Sequence, residues 1–368
     1  MGGEEKNYID LAFASNWIAP IGTNIDLFEE KIANYLGGDL QVTALNSGTS
    51  AIHLGLKLLN VQKQDEVLVQ SHTHIASVNP VLYLGATPVF VDSESETGNI
   101  CPNFLEEAIK DRIKKGKKPK AIIAVDLYGM PYKADEINKL SKYYEIPVLE
   151  DAAEALGSFY KDQPCGTLGD IGVISFNGNK ILTTSAGGVL ITNKLQQKEK
   201  ALYWANQSKE DLPYYEHKEE GYNYRMSNIC AGIGCGQMEV LEERIKQKQA
   251  VNQFYQSIFK NHLEVILQQP INKDFKSNFW VSNIFFKKDS KINPEQLRLY
   301  LESFNIESRR FWKPMHLQPL FNDFPYYGND FSEELFNLGL CLPSGSNQNA
   351  TEQEFIKLVI DRFFNLKL

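Results

Sequence analysis

Short runs of β-forming residues alternate with helical segments between about residues 40 and 195. Seven runs are strand candidates: Gln41–Leu45, Glu66–Gln70, Pro88–Val91, Ala121–Val125, Ile146–Leu149, Gly172–Phe176 and Gly188–Ile191. Amphipathic helical patterns between them include Ser50–Leu59, Asn103–Ile113 and Lys133–Tyr144. This alternation predicts an α/β fold with a central, mostly parallel sheet covered by helices on both faces. Ligands of such sheets bind at the carboxyl ends of the strands.

The second half of the chain has a different pattern. A long helical pattern covers Cys230–Phe259, and a convincing strand pattern follows at Phe279–Phe286. A chain of 368 residues is long enough for two domains. We therefore predict a large domain over residues 1–245 and a smaller C-terminal α/β domain over residues 246–368.

The composition is that of an ordinary globular protein, with 43% hydrophobic residues and a net charge of −8. The acidic balance argues against nucleic-acid binding, and the basic run Lys114–Lys118 is most simply a solvated loop. The five cysteines form no CxxC pair and have no His/Cys spacing that indicates a metal site, and they fit a reducing compartment. The sequence has no signal peptide pattern and no apolar stretch of membrane-spanning length. We expect a cytoplasmic protein without a metal or a membrane partner.

A lysine loop and an acidic strand end are the most specific chemical features. Lys180 follows Ser175-Phe176-Asn177-Gly178-Asn179, and Asp151 ends an apolar run 29 positions earlier. This combination suits a pyridoxal phosphate site, where a lysine binds the cofactor as a Schiff base and an aspartate keeps the pyridine nitrogen protonated. Taken alone, Lys180 is more simply a solvated loop lysine. The positions of Asn46 and Asp151 at predicted strand ends favour a common crevice.

Three further segments fit the same interpretation. Gly48 and Thr49 lie where a strand leads into a helix, a position that binds phosphate through backbone N–H groups, although a plain N-cap explains the pattern equally well. Ser175 could add a hydroxyl to that phosphate. Glu154, three residues after Asp151, could reach the cofactor's phenolic oxygen, or it could be a first-turn acid favoured by the helix dipole.

Other polar clusters have weaker patterns. The polar-aromatic run Gly221–Ser227 is either a functional loop or a packed one with an N-cap. Cations and aromatics mix at Arg309–His316, which suits a diphosphate or a base but equally a solvated turn. His72 and His74 flank Thr73 without a third metal ligand at a recognisable spacing, so a packed or stacking histidine is favoured.

Several motifs occur together in the order of one family. They are Asn46–Ala51, Gly85–Asp92, Glu150–Gly157, Ser175–Lys180, Gly221–Arg225 and Pro314–His316. Over nearly its whole length, the chain closely resembles the nucleotide-sugar aminotransferases of the DegT/DnrJ/EryC1/StrS family. Within that family, its lysine loop and its Leu342–Gly345 segment are most similar to those of the bacillosamine-pathway aminotransferases.

The resemblance implies a type I pyridoxal phosphate fold, similar to aspartate aminotransferase, and a homodimer with active sites at the subunit interface. It implies that Lys180 forms the Schiff base and shuttles the proton, and that Asp151 pairs with the pyridine nitrogen. It also implies that Glu154 hydrogen-bonds the phenolic oxygen. The remaining implied roles are phosphate binding by Gly48, Thr49 and Ser175 with Asn223 of the other subunit, and contact with the nucleotide sugar or the amino donor by Arg309, Arg310 and His316.

Two positions depart from the family pattern. His74 stands where an aromatic ring usually stacks on the cofactor, and an imidazole can stack as well. Ser185-Ala186 replaces the more common Gly-Glu after the lysine loop, which alters expected contacts near the sugar.

The implied reaction transfers an amino group from L-glutamate, through pyridoxamine phosphate, to the 4-keto carbon of a UDP-linked 2-acetamido-2,6-dideoxy-4-keto-hexose. GDP-linked sugars leading to perosamine and dTDP-linked keto sugars are alternatives within the same framework. The family's sugar dehydratases carry histidine in place of the lysine, so Lys180 argues against that activity. A non-catalytic sugar-nucleotide-binding or sensor protein is the alternative from another class.

Overall fold

The computed structural model describes residues 1–367. The helices are α1 (Glu5–Ala14), α2 (Thr23–Leu36), α3 (Gly48–Leu58), α4 (Asn79–Tyr83), α5 (Pro102–Lys114), α6 (Ala134–Tyr144), α7 (Leu195–Ala205), α8 (Asn228–Met238), α9 (Leu241–Phe259), α10 (Pro294–Glu302), α11 (Phe331–Leu338) and α12 (Ala350–Lys367). The strands are β1 (Gln41–Leu45), β2 (Glu66–Gln70), β3 (Thr87–Val91), β4 (Ala121–Val125), β5 (Val148–Asp151), β6 (Phe159–Tyr160), β7 (Gln163–Pro164), β8 (Ile171–Ser175), β9 (Gly188–Thr192), β10 (Val265–Leu267), β11 (Phe275–Lys276), β12 (Ser282–Phe286), β13 (Arg309–Arg310), β14 (Tyr326–Tyr327) and β15 (Gly339–Leu342).

The predicted parallel sheet is confirmed. It has eight strands in the order β1-β9-β8-β5-β4-β2-β3-β14, and only β9 runs against its neighbours. The central strand β4 is the apolar run AIIAV, and all five of its residues are buried. Burial of both faces is what a parallel sheet covered by helices requires. The predicted α/β fold class is therefore correct.

The register of the central strands brings their carboxyl ends to one edge. Val125 at the end of β4 lies beside Asp151 at the end of β5, and Asp151 lies beside Val173 in β8. The loop that carries Lys180 begins directly after Ser175 and therefore leaves the same edge. Side chains that follow β1, β5 and β8 can consequently face one cavity.

Two predicted elements differ from the observed ones. The helix predicted over Cys230–Phe259 is divided into α8 and α9 at Glu239-Val240, where Val240 leaves helical geometry with ψ of 7°. Glycines in α8 allow close approach to the N-terminal helices, since a Cβ at Gly236 would lie 2.6 Å from the backbone nitrogen of Glu5. The strand predicted from Phe279 begins only at Ser282, because Phe279 has a left-handed φ of +50°.

A second core belongs to the C-terminal part of the chain. Helices α9, α10 and α12 cover a four-stranded sheet of order β10-β12-β15-β13. However, β14, which also lies beyond residue 245, pairs in parallel with β3 of the large sheet. The division into domains at residues 245 and 246 stays a prediction. No helix within residues 1–367 is both long and apolar enough to cross a membrane.

A buried pair of acids lies beneath the strand end that carries Asp151. Asp126 and Glu150 are fully buried with their ligand atoms, and that of Cys165, within 4.8 Å of one another. Glu150 accepts hydrogen bonds from the backbone N–H groups of Gly166, Leu168 and Gly169, which stabilises its charged form. Burial and the neighbouring Glu150 carboxylate hold the pKa of Asp126 well above its usual range. Asp126 therefore carries the proton of the pair.

Replacing Asp126 with Asn is expected to make the folded state less sensitive to rising pH. Because the pKa of Asp126 is raised on folding, its contribution to stability is complete below about pH 4 and is lost as the pH rises through the folded-state value. The amide has no proton to lose. The free energy of unfolding of D126N, relative to that of the wild type, should therefore rise by up to roughly 1.4 kcal/mol per pH unit in that window. Urea unfolding midpoints at about pH 5 and about pH 8 measure this gain.

The matched control is Asp162→Asn. Asp162 is exposed, and its ion pair with Lys276 lowers its pKa, so no gain with rising pH is expected. If D126N and the wild type lose the same stability between about pH 5 and about pH 8, Asp126 is not protonated in the folded state.

Candidate active site

A cavity of about 320 Å³ opens at the carboxyl edge of the large sheet. It is bounded by the turn from β1 into α3, by the residues after β5 and by the loop after β8. Seven residues predicted from the sequence line it: Gly48, Thr49, His74, Asp151, Glu154, Ser175 and Lys180. The structure therefore brings together groups that are up to 132 positions apart in the chain (Lys180 minus Gly48).

The lysine at the cavity is held between a carboxylate and an indole. Lys180 Nζ donates to Glu154 Oε1 at 3.0 Å and lies 4.3 Å from the ring centroid of Trp280. Its side chain is only 13% exposed. The other oxygen of Glu154 accepts the backbone N–H of Tyr128 at 2.7 Å. Burial raises the pKa of Glu154, and the Lys180 ammonium opposes that rise.

Asp151 is a buried, hydrogen-bonded carboxylate on the cavity wall. Its Oδ2 accepts the Ser77 hydroxyl at 2.6 Å, and its Oδ1 accepts the backbone N–H of Ala153 at 3.2 Å. Burial raises the pKa of Asp151, while the two hydrogen bonds and the Lys180 ammonium lower it. The carboxylate can thus accept a further hydrogen bond from a donor in the cavity.

The N-terminus of α3 meets the end of β8 at very close range. Ser47 caps α3, and its hydroxyl accepts the backbone N–H of Ser50. A Cβ at Gly48 would lie 3.0 Å from Ser175 Cβ, so a glycine is needed for the two segments to meet. The first N–H groups of a helix have no acceptor within the helix. With the Ser175 and Thr49 hydroxyls they form a site suited to an anion.

His74 forms part of the rim. Its Nδ1 accepts the backbone N–H of Ala76 at 3.2 Å, and its ring packs edge-on against Trp312 at 5.3 Å. Loss of hydration and the nearby Lys180 lower the pKa of His74, and Asp151 opposes this shift. The imidazole is therefore favoured in its neutral form, and its role toward the cofactor stays a prediction.

Four predicted residues lie outside this cavity. The carbonyl of Asn223 accepts the side-chain N–H of Asn46 at 3.1 Å, and its own side chain is exposed. Arg309 is 79% exposed and pairs with Glu307. The two remaining residues are held elsewhere: Arg310 donates to the carbonyl of Phe336, and His316 bonds the Ser71 hydroxyl and stacks on Tyr326. Their predicted roles stay predictions.

Three residues at the site, Ser77, Trp280 and Tyr128, were missed in the sequence, and a fourth, Trp312, was noted only as an aromatic of the Arg309–His316 segment. Ser77 bonds Asp151, Trp280 and Trp312 line the cavity, and Tyr128 binds Glu154 through its backbone. Tyr128 has a left-handed φ of +56°, and nothing in its sequence neighbourhood except the following Gly129 indicates that conformation. The two tryptophans belong to the C-terminal half, and only tertiary packing brings them here.

The residues at the cavity fit pyridoxal 5′-phosphate. An anion site at a helix N-terminus suits its phosphate, and the buried Asp151 carboxylate suits a protonated pyridine nitrogen. The Lys180 amine faces the same cavity, as covalent attachment of the cofactor requires. This fit rests on the chemistry and the burial of the groups themselves.

Comparison with known proteins identifies the family. Residues 1–363 match the model of the DegT/DnrJ/EryC1/StrS aminotransferase family. EpsN of Bacillus subtilis (strain 168), provisionally assigned as a pyridoxal phosphate-dependent aminotransferase, is 44% identical over 99% of this chain and 94% of its own length. GDP-perosamine synthase of Escherichia coli O157:H7 is 36% identical over 99% of this chain and 97% of its own. The crystal structure of a DegT DnrJ EryC1 StrS aminotransferase from Brucella abortus superposes with a TM-score of 0.90 at 27% identity, covering 98% of this chain and 95% of that one.

These findings agree with the cavity described above. The match covers nearly the whole described chain, and the lysine, the two carboxylates and the anion site are all in place. The cofactor of the chain is pyridoxal 5′-phosphate. The chain belongs to the DegT/DnrJ/EryC1/StrS aminotransferase family and is a sugar aminotransferase.

Proposed function

We propose that this enzyme transfers the amino group of L-glutamate to the 4-keto carbon of a nucleotide-linked 6-deoxyhexose. The observation that carries the proposal is the Lys180 amine, held by Glu154 in a cavity that also contains the buried Asp151 carboxylate. The net exchange converts glutamate to 2-oxoglutarate and the keto sugar to an amino sugar. The enzyme would act as a homodimer, with Asn223 completing the phosphate site of the other subunit.

Different residues of the chain would transfer the proton and hold the charged groups of the cofactor. The bound cofactor supplies a ring that accepts electrons from the substrate carbon. Lys180 Nζ serves as the base that removes the proton from that carbon and later returns it. The Asp151 carboxylate would hold the proton on the ring nitrogen, and Glu154 holds Lys180 Nζ at the cavity. The Ser175 hydroxyl and the start of α3 would hold the phosphate.

Two sugar classes have specific support. The lysine loop and the Leu342–Gly345 segment favour a UDP-linked 2-acetamido-2,6-dideoxy-4-keto-hexose. The relationship to a GDP-perosamine synthase at 36% identity favours a GDP-linked 4-keto-6-deoxy sugar. Both share the 4-keto-6-deoxy ring, so they differ in the nucleotide and at C2. Discrimination by one such substituent can be worth only a few kcal/mol.

A half-reaction experiment tests the proposal and separates the two sugars. The holoenzyme is treated with glutamate until its visible cofactor band disappears, and the free donor is then removed. Addition of the UDP-linked or the GDP-linked keto sugar should restore the band within one turnover, and the faster sugar identifies the substrate class. A protein that bleaches with glutamate but recovers with neither of them, nor with a dTDP-linked keto sugar, would contradict the proposed acceptor. A protein that binds sugar nucleotide but never bleaches would indicate a non-catalytic sensor.

Replacing Lys180 with Ala is expected to abolish turnover. Without the amine the proposed base is missing, and the loss should exceed roughly 1,000-fold. The phosphate site and Asp151 remain, so the variant should still bind the cofactor without a covalent bond. Steady-state rates and equilibrium dialysis measure the two properties.

The control for this variant is Lys276→Ala. Lys276 is a solvent-exposed lysine that pairs with Asp162 and is not among the residues that line the cavity. Its replacement should leave the rate unchanged, and turnover retained in K180A would refute the assignment of the base.

Replacing Ser77 with Ala is expected to move the acidic limb of the pH–rate profile to higher pH. The Ser77 hydroxyl donates to Asp151 and lowers the pKa of that carboxyl against the effect of burial. Without this bond the carboxyl becomes protonated at a higher pH and ceases to hold the ring proton. A hydrogen bond to a charged group is worth about 1.5–3 kcal/mol, so the limb should move by roughly one to two pH units.

The matched control is Ser257→Ala, which removes an exposed hydroxyl that bonds only the Phe254 carbonyl. Its profile should superimpose on that of the wild type. An acidic limb in S77A that also superimposes on the wild type would show that Asp151 does not control activity.

A further inference from the structure

One tryptophan contacts the catalytic lysine in two ways at once. The face of the Trp280 ring lies 4.3 Å from Lys180 Nζ, within the range in which an aromatic face attracts a cation. The indole N–H of the same side chain donates to the carbonyl of Asn179 at 2.7 Å. Trp280 therefore contacts both the amine of the lysine and the peptide immediately before it.

The lysine loop needs such an anchor. Lys180 lies in an irregular segment after β8, and Gly178 within that segment has no neighbouring atom within 4 Å of a built Cβ. Irregular segments with few packed neighbours have low local stability. Among the described residues, Glu154 is the only carboxylate paired with Lys180. If Glu154 turns to the cofactor's oxygen, the indole is the contact that continues to hold the free amine.

The backbone of Trp280 is fixed from two sides. Its N–H donates to Asn278 Oδ1 at 2.8 Å, and the Asn278 amide donates to the carbonyls of Glu154 and Leu156 at 2.8 and 2.9 Å. The backbone carbonyl of Trp280 accepts a hydrogen bond from Lys248 Nζ at 3.0 Å. The backbone that carries the indole is thus bonded to the large sheet through Asn278 and to α9 through Lys248, while the indole itself is held by its bond to the Asn179 carbonyl.

Lys248 is an unusual partner for a carbonyl. It is half-buried on α9, donates to the carbonyls of Trp280 and Ser344, and has no acidic partner within residues 1–367. A buried ammonium without a counter-ion is costly. Two backbone carbonyls compensate for its lost hydration, so the ammonium remains a rigid bridge between the segments before β12 and after β15.

Resting on the proposed role of Lys180, we propose that Trp280 is a positioning residue for the free Lys180 amine and that Lys248 holds Trp280 in place. The indole face and the indole N–H limit the positions that Lys180 Nζ can take. The bond from Lys248 limits the positions of Trp280. Substrate affinity does not depend on this contact, whereas the proton transfer does. A misplacement of about 1 Å at such a site can lower a rate by roughly 100-fold.

Trp280→Phe tests the proposal, because it keeps an aromatic face but removes the N–H donor. We expect kcat to fall by about 10- to 100-fold for both half-reactions, with KM for glutamate changed by less than about twofold. Trp204→Phe is the control. Trp204 is similarly buried, donates its indole N–H to Glu219 at 2.8 Å, and has Lys57 4.7 Å from its ring, but it lies in α7 away from the cavity.

A second readout needs no sugar and no turnover. Cofactor-free protein is mixed with limiting pyridoxal phosphate, reduced with borohydride at set times and digested, and the fraction of Lys180 that carries the cofactor is measured by mass spectrometry. W280F should label Lys180 at least about fivefold more slowly than W204F at equal thermal stability. This comparison stands even if the proposed sugar is wrong. If Lys180 is not the labelled lysine in the wild type, the proposed function fails and the positioning role fails with it.

Lys248→Met provides an independent variant that leaves every side chain of the cavity in place. It should also slow labelling of Lys180, to a smaller extent than W280F, and it decides the question if W280F does not fold. Labelling rates and kcat of W280F and K248M within about twofold of W204F would overturn the proposal, even with a lowered melting temperature. Such a result would show that Trp280 only stabilises the fold.

Discussion

The parallel register of β4, β5 and β8 is the constraint on which the site depends. Alternation along β5 points Glu150 and Asp151 to opposite faces of the sheet. Asp151 therefore faces the cavity, while Glu150 faces the buried side and binds the loop at 166–169 through three backbone N–H groups. A shift of one residue would exchange the two acids and remove the carboxylate from the cavity. The bonds made by Glu150 thus help to specify the register that places Asp151.

Buried charge is concentrated at this edge, and each charge is compensated locally. Asp151 receives the Ser77 hydroxyl, Glu154 receives Lys180 and a backbone N–H, and Asp126 retains a proton beside Glu150. Uncompensated burial of even one carboxylate would cost several kcal/mol. In the proposed site, the cofactor's cationic ring and its phosphate would extend the same principle, because the ring would meet the Asp151 carboxylate and the phosphate would meet the N–H groups of α3.

The sequence predicted those parts of the molecule that local patterns determine. The strands from β1 to β9 that form the large sheet were located within two residues, and Lys180 and Asp151 were recognised from their motifs and converge as expected on one cavity. Residues placed by tertiary contacts were missed, because neither Ser77 nor Trp280 belongs to a motif that indicates its neighbour. The break between α8 and α9 was missed for a similar reason. It lies at Val240, where the backbone leaves helical geometry, and periodicity alone does not reveal it.

Two residues with left-handed backbone lie at or beside groups that bond Glu154, and these bonds join the two halves of the chain into one site. Tyr128 and Phe279 both adopt left-handed φ values, +56° and +50°, at a cost of about 1–3 kcal/mol each. The strained turn at Tyr128 aims its N–H at Glu154, and Gly129 follows it because a Cβ there would lie only 2.0 Å from the Asn278 side chain. Asn278 in turn binds the carbonyl of Glu154 from the C-terminal half. The hydrogen bonds that offset the strain are therefore the same bonds that fix the carboxylate beside the lysine. A change that relaxed either turn would loosen the geometry of the site before it affected the sheet.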